Sequence, residues 1–511
     1  MSGSVRQLSV IDSAFVFAET TETPMHVGSL SIVKLPENYA GDYFEDLKRM
    51  FVERLPDAKM LTLKLAQTPF DVDRPSWVED DAFDINRHIF RTQLAEPRDR
   101  STLLRMAGWL HAKPLNRARP LWEAYVFTGL PDNEAAIYTK LHHALVDGGG
   151  AVELAKTLYD ITPTPRPPGL GAARKSHAKR PEVRDIASSA LAAYAELWRA
   201  PFSKNTDLKA FELPRTGGTD LTSVLVDAAI HNVEWSLRFA ANMPEILDSV
   251  TKSIQTALKP EVVESFRALN APSTPLNVAI SSERSFAGVT LPLGRVKAVA
   301  KKAGGKVNDV VLALSSGVLR RYLLEIDALP RKTMTGFVPI SARDEGNAEA
   351  MNQVFGMVVP LATDIENVAE RFKTILEMTA ISKEIANPFR PILPHIMEAP
   401  SFGTPMIFQL MATFYGRSNL ANSLPPPVNV VISNVFLSKF PFYIAGARLE
   451  HVFPMSIVVH GQALNITVQG YCDNLDFGFT GAANVLPNME ELTGMMDREL
   501  VALEKAFAVS A

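Results

Sequence analysis

The chain has 511 residues, of which 47% are hydrophobic and 21% are charged, and its formal net charge at pH 7 is −4. This length predicts two or more domains, and the composition excludes a chain that is disordered throughout. The charge gives no basic excess for binding nucleic acid. The single cysteine, Cys472, excludes an intrachain disulfide or cysteine-based zinc site and fits a reducing cytoplasm.

The distribution of apolar residues predicts a protein that does not cross a membrane. The first ten residues include no apolar stretch of signal-peptide length. The longest apolar runs, such as 310–314 and 457–459, are far shorter than the roughly 20 residues that a spanning helix needs. We therefore expect a soluble or peripheral protein.

The sequence pattern over residues 1–161 predicts a first α/β domain. Alternating apolar residues favour a strand at 25–35, and two further extended runs at 122–128 and 135–143 are joined by a turn-prone segment. Apolar residues at helical spacing then predict a helix over 149–159.

Residues 162–185 interrupt this pattern with five prolines, six Lys or Arg residues and two acids. Such a composition cannot bury a core, so we interpret it as an exposed basic linker. A solvated tether is favoured over a contact with an anionic ligand or membrane surface. An Ala- and Leu-rich stretch then predicts a helical connecting region, 186–273.

The sequence pattern over residues 274–511 predicts a second α/β domain, which ends in an amphipathic helix at 489–507. An apolar helix over 309–326 begins with Asn308 or Asp309 as its cap. The other predicted elements are a buried strand at 428–433 and a β-meander over 455–480 with turns at 461–462 and 473–474.

Two adjacent histidines end the run at 135–143. In a strand, successive side chains point to opposite faces, so His143 shares a face with three other odd-numbered residues, Ile137, Thr139 and Leu141. These apolar partners predict that His143, and not His142, points inward as a general base. His142 is favoured as a structural histidine.

The residues that follow predict a sharp turn into the next helix. Asp147 precedes Gly148 and two more glycines, which permit close backbone approach. Asp147 could orient the imidazole or pair with a cation that fixes the loop, and it could equally cap the helix near residue 149. These roles are compatible.

Other catalytic patterns are absent from the sequence. It has no Gly-x-Ser-x-Gly elbow, no His-Glu-x-x-His motif and no phosphate-binding loop. His26 is a rival base, but it lies in an apolar run without a flanking acid and is favoured as structural. A histidine base without a nucleophile in its motif indicates direct transfer to an external acceptor.

The segment His142-His143-Ala144-Leu145-Val146-Asp147-Gly148 matches the HHxxxDG signature of coenzyme A-dependent acyltransferases. Further segments resemble one group of that superfamily, the bacterial wax ester synthase/diacylglycerol acyltransferases, and the resemblance covers nearly the whole chain. These segments are 8–15, 23–28, Pro120-Leu121-Trp122, Asn308-Asp309, 338–343 and 433–435. The chain departs from the family at 435–440, where a proline-glycine pair is usual.

This resemblance implies two chloramphenicol-acetyltransferase-like domains, each a mixed sheet flanked by helices, with the active-site channel between them. It implies that His143 takes the hydroxyl proton of a fatty alcohol or diacylglycerol, which then attacks a long-chain acyl-CoA without an acyl-enzyme. Acyl-CoA would be a co-substrate, with no cofactor and no metal. Work at a membrane face or lipid inclusion would fit the lack of a spanning segment.

The resemblance also suggests supporting residues. Asn308, Ser433 and Asn434 are candidate donors to the oxyanion, although Asn308 could instead cap a helix and Ser433 could satisfy buried backbone. Arg343 is a candidate ionic partner of Asp147. Trp122 and Pro120 are favoured as packing residues.

Two other functions stay open at this stage. One is a condensation or acyltransferase domain that takes its acyl group from a carrier protein, which the basic linker would favour. The other is a lipid-inclusion-binding protein without catalysis, which the intact His143 and Asp147 weigh against. The sequence leaves the main product, the chain-length preference and the oligomeric state undetermined.

Overall fold

The computed structural model describes residues 6–66, 74–146, 148–167, 271–341, 354–387, 420–422 and 425–509, together with Ile230 and Asp248. The α-helices within these residues are α1 (Val10–Ala18), α2 (Tyr43–Arg54), α3 (Arg100–His111), α4 (Gly148–Leu158), α5 (Leu293–Ala303), α6 (Val307–Glu325), α7 (Val368–Ala386) and α8 (Glu490–Ala506). The predicted helices at 149–159, 309–326 and 489–507 are therefore confirmed, with ends shifted by one or two residues.

The strands alternate with these helices. They are β1 (Arg6–Gln7), β2 (His26–Lys34), β3 (Leu63–Ala66), β4 (Ser76–Glu79), β5 (Ile89–Thr92), β6 (Trp122–Phe127), β7 (Glu134–His142), β8 (Arg284–Pro292), β9 (Thr335–Ser341), β10 (Val354–Pro360), β11 (Val430–Ser438), β12 (Tyr443–Ile444), β13 (Ala447–Met455), β14 (Leu464–Tyr471) and β15 (Asn474–Ala482). Within the described residues, these strands form a small sheet, β1-β4-β3, and two six-stranded sheets.

The first large sheet has the strand order β12-β13-β2-β7-β6-β5. β2 and β7 pair antiparallel with His26 opposite His142, and β5 runs parallel to β6. One face of this sheet packs on α2 and α4, and the other packs on α3. The sheet is mixed and covered on both faces, as the fold prediction required.

The second large sheet has the order β10-β9-β11-β14-β15-β8. β11 runs parallel to β14 along its length and to β9 at Val430 and Val431. Parallel strands are covered on both faces, which explains the apolar start of β11, whereas Asn434 and Phe436 further along are exposed. α5, α6, α7 and α8 supply the apolar side chains that pack against this sheet. The turn predicted at 473–474 lies one residue earlier, at 472–473, where it joins β14 to β15.

The boundary predicted for the second domain is wrong for the segment that contains β12 and β13. These strands follow β11 in the chain but belong to the first sheet, where β13 pairs antiparallel with β2. The predicted meander over 455–480 is correspondingly wrong at its start, since Met455 ends a strand of the other sheet. Alternation fixes which side chains share a face, but it does not determine which sheet a strand joins.

Two glycines allow β13 to cross the second sheet. Gly288 and Gly478 face each other in the β8–β15 pair. A Cβ atom on Gly478 would lie 1.8 Å from the Pro454 carbonyl oxygen, and one on Gly288 would lie 2.6 Å from the Phe453 ring. Only glycine permits this close approach, which joins the two halves of the molecule.

The start of α6 differs from the predicted cap. Lys306 is the N-cap residue, Asn308 lies in the first turn, and Asp309 is the third helical residue. The Asp309 Oδ2 atom accepts a hydrogen bond from the Lys306 N–H at 2.8 Å. The carboxylate thus reaches back to the helix start, as the acidic partner of a capping box does, so neither Asn308 nor Asp309 is the cap.

Several predictions fall outside the described residues. They concern Asp147, Arg343, the linker beyond residue 167 and nearly all of the helical region 186–273, in which Ile230 and Asp248 are helical. No helix in the described part of the chain has the length and apolar character needed to span a bilayer.

Candidate active site

A cavity lies between the two large sheets. It encloses about 1170 Å³ of empty space, its open mouth included. The first domain contributes side chains from β2, β7 and α4, and the second contributes side chains from β11 and β14. β13, which joins the two sheets, lines it with Val452, Pro454 and Met455.

The first-domain wall is the β2–β7 face that carries odd-numbered residues. Val27 pairs with Leu141 and Ser29 with Thr139, and all four side chains line the cavity. Beyond them the wall is apolar, formed by Phe51, Leu61, Trp122, Ala151, Val152, Leu154, Ala155 and Leu158. This part of the cavity is suited to an alkyl chain, since burial of each CH₂ contributes about 0.8 kcal/mol.

His143 lies in the turn directly after β7 and lines the same cavity. Its backbone N–H donates to the Met25 carbonyl oxygen at 2.8 Å. Its ring is stacked on the Phe15 ring, with centroids 4.0 Å apart and an interplanar angle of 19°. The imidazole is therefore held in a defined orientation while it remains half-buried.

His142 lies on the other side of β7 and does not line the cavity. Its Nδ1 accepts a hydrogen bond from the Ala144 N–H at 3.1 Å, so the neutral ring carries its proton on Nε2, 3.7 Å from Glu19 Oε1. Burial, followed by the nearby Arg117 and His143 charges, lowers the pKa of His142 to about 3. This geometry matches the structural role predicted for His142.

The expectation that His143 is the more interior of the two rings is wrong. His142 is fully buried, whereas His143 is half-buried. The strand period correctly separates the two rings, but both faces of this sheet are covered. The apolar neighbours of His143 therefore mark the side with the cavity and not the deeper side.

His26 is fully buried opposite His142 and also lies outside the cavity lining. Its Nε2 lies 2.7 Å from the His111 carbonyl oxygen, and the His26 and His111 rings meet edge to face at 4.7 Å. Burial and the His111 charge lower the pKa of His26 well below its usual value. These contacts match the structural interpretation of His26.

The three proposed oxyanion donors lie at different places. Ser433, like Val435 and Leu437 on the same face of β11, lines the cavity. Asn434 points to the opposite face and is exposed, with its Nδ2 3.5 Å from the Asn308 Oδ1. Neither asparagine lines the cavity, so Ser433 is the one of the three that shares it with His143.

Trp122 combines packing with a place in the cavity wall. It is 1% exposed, its Nε1 donates to the Leu61 carbonyl at 2.7 Å, and its ring is stacked on Phe51 at 5.6 Å. The predicted packing role agrees with these contacts. The rigid stack also defines the apolar end of the cavity.

The polar wall on the second domain is not predicted by any motif in the sequence. Thr467 and Gln469 of β14 and Ser456 after β13 line the cavity. The Gln469 Nε2 donates to the Val435 carbonyl at 3.1 Å, which fixes the amide. A signal for this wall exists, because polar residues alternate at 465, 467 and 469 within an otherwise apolar strand.

Gly148 begins α4 directly after the turn that carries His143. Among the described residues, no cluster of His, Cys, Asp or Glu side chains has the arrangement of a metal site.

Comparison with known proteins identifies the family. Residues 8–311 match the wax ester synthase/diacylglycerol acyltransferase catalytic domain, and residues 351–504 match the C-terminal domain of the same family. The chain belongs to the wax ester synthase/diacylglycerol acyltransferase family. It is therefore an acyltransferase.

Curated relatives of this acyltransferase match over its whole length. It is 31% identical over 499 residues to a probable diacylglycerol O-acyltransferase of Mycobacterium tuberculosis, covering 98% of each chain. It is 30% identical over 509 residues to a putative diacylglycerol O-acyltransferase of Mycobacterium bovis, covering 98% of this chain and 99% of the relative.

Solved structures confirm the fold of the acyltransferase. The wax ester synthase/diacylglycerol acyltransferase of Marinobacter aquaeolei VT8 is 25% identical, with a TM-score of 0.64 and coverage of 99% of this chain and all of that one. The first condensation domain of the calcium-dependent antibiotic synthetase shares the fold at 14% identity, with a TM-score of 0.51 and coverage of 99% and 97%.

Proposed function

We propose that this acyltransferase moves a long-chain acyl group from acyl-CoA to the hydroxyl of a fatty alcohol or diacylglycerol, with His143 as general base. The observation that carries the proposal is the composition of the cavity. His143 is its one histidine, and Tyr159 is the one other titratable side chain among the described residues that line it. An imidazole is the usual group for proton transfer near neutral pH.

The proposed reaction is a single transfer in a ternary complex. His143 accepts the proton of the acceptor hydroxyl as the oxygen attacks the thioester carbonyl. The tetrahedral intermediate collapses, the carbon–sulfur bond breaks, and the coenzyme A thiolate leaves and takes up the proton. No covalent acyl-enzyme forms in this scheme. Acyl-CoA is a co-substrate in this scheme, which uses no cofactor.

Ser433 is the proposed donor to the oxyanion. It faces the cavity on β11, the strand opposite the first-domain wall that carries His143. A hydroxyl donor aimed at the developing negative charge typically lowers the barrier by about 3 kcal/mol.

The apolar wall and the names of the relatives support lipid substrates. A cavity lined by Phe51, Leu61 and Leu158 favours an alkyl chain over a small polar acceptor. The mycobacterial relatives are named as diacylglycerol acyltransferases, and the Marinobacter enzyme is named for both wax ester and diacylglycerol chemistry.

We further propose that the enzyme contacts lipid surfaces peripherally through the segment after Val435. Phe436 is 49% exposed and Phe440 is 72% exposed, while Leu437 between them lines the cavity. Exposed aromatic side chains next to Lys439 suit insertion between lipid headgroups. This segment is also the one that departs from the usual family sequence.

A thiol-release assay tests the reaction. Purified enzyme is given palmitoyl-CoA with hexadecanol, with dipalmitoylglycerol or with no acceptor, and the esters are measured by mass spectrometry. We expect coenzyme A release that requires an acceptor, with an equal amount of ester formed. Release restricted to carrier-protein-bound donors, or an acylated protein after incubation with palmitoyl-CoA alone, would contradict the proposal.

A further inference from the structure

Side chains at the end of α1 contact the turn that carries His143, although they lie outside the described cavity lining. Phe15 stacks on the His143 ring at 4.0 Å. Glu19, four residues later, is the C-cap residue that directly follows α1. Residues four apart lie on one side of a helix. Phe15 and Glu19 can therefore act on the ring and on the backbone of His143 from the same element.

The Glu19 carboxylate is buried and has partners on both oxygens. Its side chain is 7% exposed. Oε2 accepts hydrogen bonds from Arg117 Nε at 3.0 Å and from Arg117 Nη2 at 2.9 Å. Oε1 accepts from the Met25 N–H at 3.1 Å. Both guanidinium N–H groups converge on Oε2, which anchors this oxygen and leaves Oε1 for the backbone N–H of Met25.

Met25 connects this carboxylate to the histidine turn. Its N–H is held by Glu19, and its carbonyl oxygen accepts the His143 N–H at 2.8 Å. The Glu19 Oε1 atom also lies 3.7 Å from Nε2 of the neutral His142. If the carboxylate moved, Met25 would therefore transmit the change to the His143 backbone.

We infer that Glu19 is a positioning residue for His143, acting through Met25, with Phe15 fixing the plane of the imidazole. The inference rests on the proposed role of His143 as the base. Glu19 makes no contact with substrate in this scheme, so its loss affects the chemical step and not the binding of the donor. Proton transfer depends on placement to a fraction of an ångström, which is why an indirect contact matters.

Steady-state kinetics of three variants test the inference. Glu19→Ala is expected to lower kcat at least tenfold, with KM for both substrates within about twofold of the parent. Glu19→Gln retains a carbonyl oxygen for the Met25 N–H and is expected to restore most of kcat. The matched control is Glu134→Ala, which removes the carboxylate paired with Arg100 at the other end of β7 and should leave kcat unchanged.

Spectra of protein labelled with ¹⁵N-histidine supply a readout that a purely structural role would not move. The His143 ring signals, assigned by their absence in His143→Ala, are expected to shift in Glu19→Ala and stay in place in Glu134→Ala. This readout holds even if the parent enzyme shows no transferase activity, in which case the proposed function fails separately.

Folded Glu19→Ala with normal kcat, or with KM raised in proportion to the loss, would overturn the inference. If Glu19→Ala does not fold, Phe15→Leu carries the test, because leucine keeps an apolar contact but cannot stack. We expect a several-fold lower kcat at unchanged KM from that variant, and an unchanged kcat would count against the inference.

Discussion

His142 and His143 are consecutive in the chain, yet their imidazoles lie on opposite sides of β7. His143 lines the cavity between the two sheets, whereas His142 is fully buried against the residues behind the sheet. One extended backbone thus presents the proposed base to the cavity on one side and buries a histidine that is neutral at pH 7 on the other.

The buried histidines make the folded state sensitive to acid. Burial lowers the pKa of both His111 and His142 to about 3, below the value of about 6.5 in the unfolded chain. The unfolded chain therefore binds more protons, and stability falls as the pH drops from 6.5 towards 3. Each of these histidines lowers the free energy of unfolding at pH 5 by about 2 kcal/mol relative to pH 7.

Denaturant unfolding of His111→Gln at pH 7 and pH 5 measures this effect. A glutamine does not titrate, so the loss of stability between the two pH values should be smaller than in the parent by about 2 kcal/mol. An identical loss in both proteins would mean that His111 is not held neutral in the fold.

Ser433→Ala tests the oxyanion donor. We expect kcat to fall about 100-fold with little change in KM, since the lost hydrogen bond forms to the transition state. The control is Asn434→Ala, whose side chain is exposed on the other face of the same strand. A larger effect from Asn434 than from Ser433 would reassign the donor.

Ala155→Phe tests whether the apolar wall of the cavity holds the alkyl chain. Ala155 of α4 lines the cavity, and a ring at this position would displace about two CH₂ groups of a bound chain. At about 0.8 kcal/mol each, this predicts a roughly tenfold drop in kcat/KM for C16 relative to C10 substrates. Lys156→Phe, at the neighbouring exposed position, is the control. The same chain-length profile in both variants would place the alkyl chain elsewhere.

Phe440→Ser tests the lipid contact. We expect this variant to sediment less with phosphatidylcholine–phosphatidylglycerol vesicles than the parent, because the exposed ring is the most accessible apolar group of its segment. Leu324→Ser, a change at a 52% exposed leucine of α6, should bind as the parent does. Equal binding by all three proteins would remove this segment from the proposed contact.

The sequence predicted the local structure around the site better than its long-range pairing. A period of two in 137–143 separated His142 from His143, whereas the three glycines predicted for the turn form the start of α4. The transfer of β13 to the first sheet was not predictable in this way, because its partner, β2, lies about 420 residues earlier in the chain.

Sequence motifs identified only some of the residues that lie around His143. Asn308 and Asn434 belong to segments that resemble the family's motifs, but neither lines the cavity. Alternation along β11 sends Ser433 inward and Asn434 outward. Glu19 was missed, because its link to His143 depends on the Met25 backbone and no side-chain pattern reports such a contact. The suggested Asp147–Arg343 pair stays a prediction.

His143 is proposed as the general base. Its test compares ester formation from palmitoyl-CoA by the parent and by His143→Ala. Thermal unfolding midpoints and palmitoyl-CoA affinities are measured for both proteins to show that the variant folds and binds the donor. A general base typically contributes 10²- to 10⁴-fold, so we expect turnover to fall by roughly 1000-fold while palmitoyl-CoA still binds. Normal turnover by folded His143→Ala would show that a different group takes the proton.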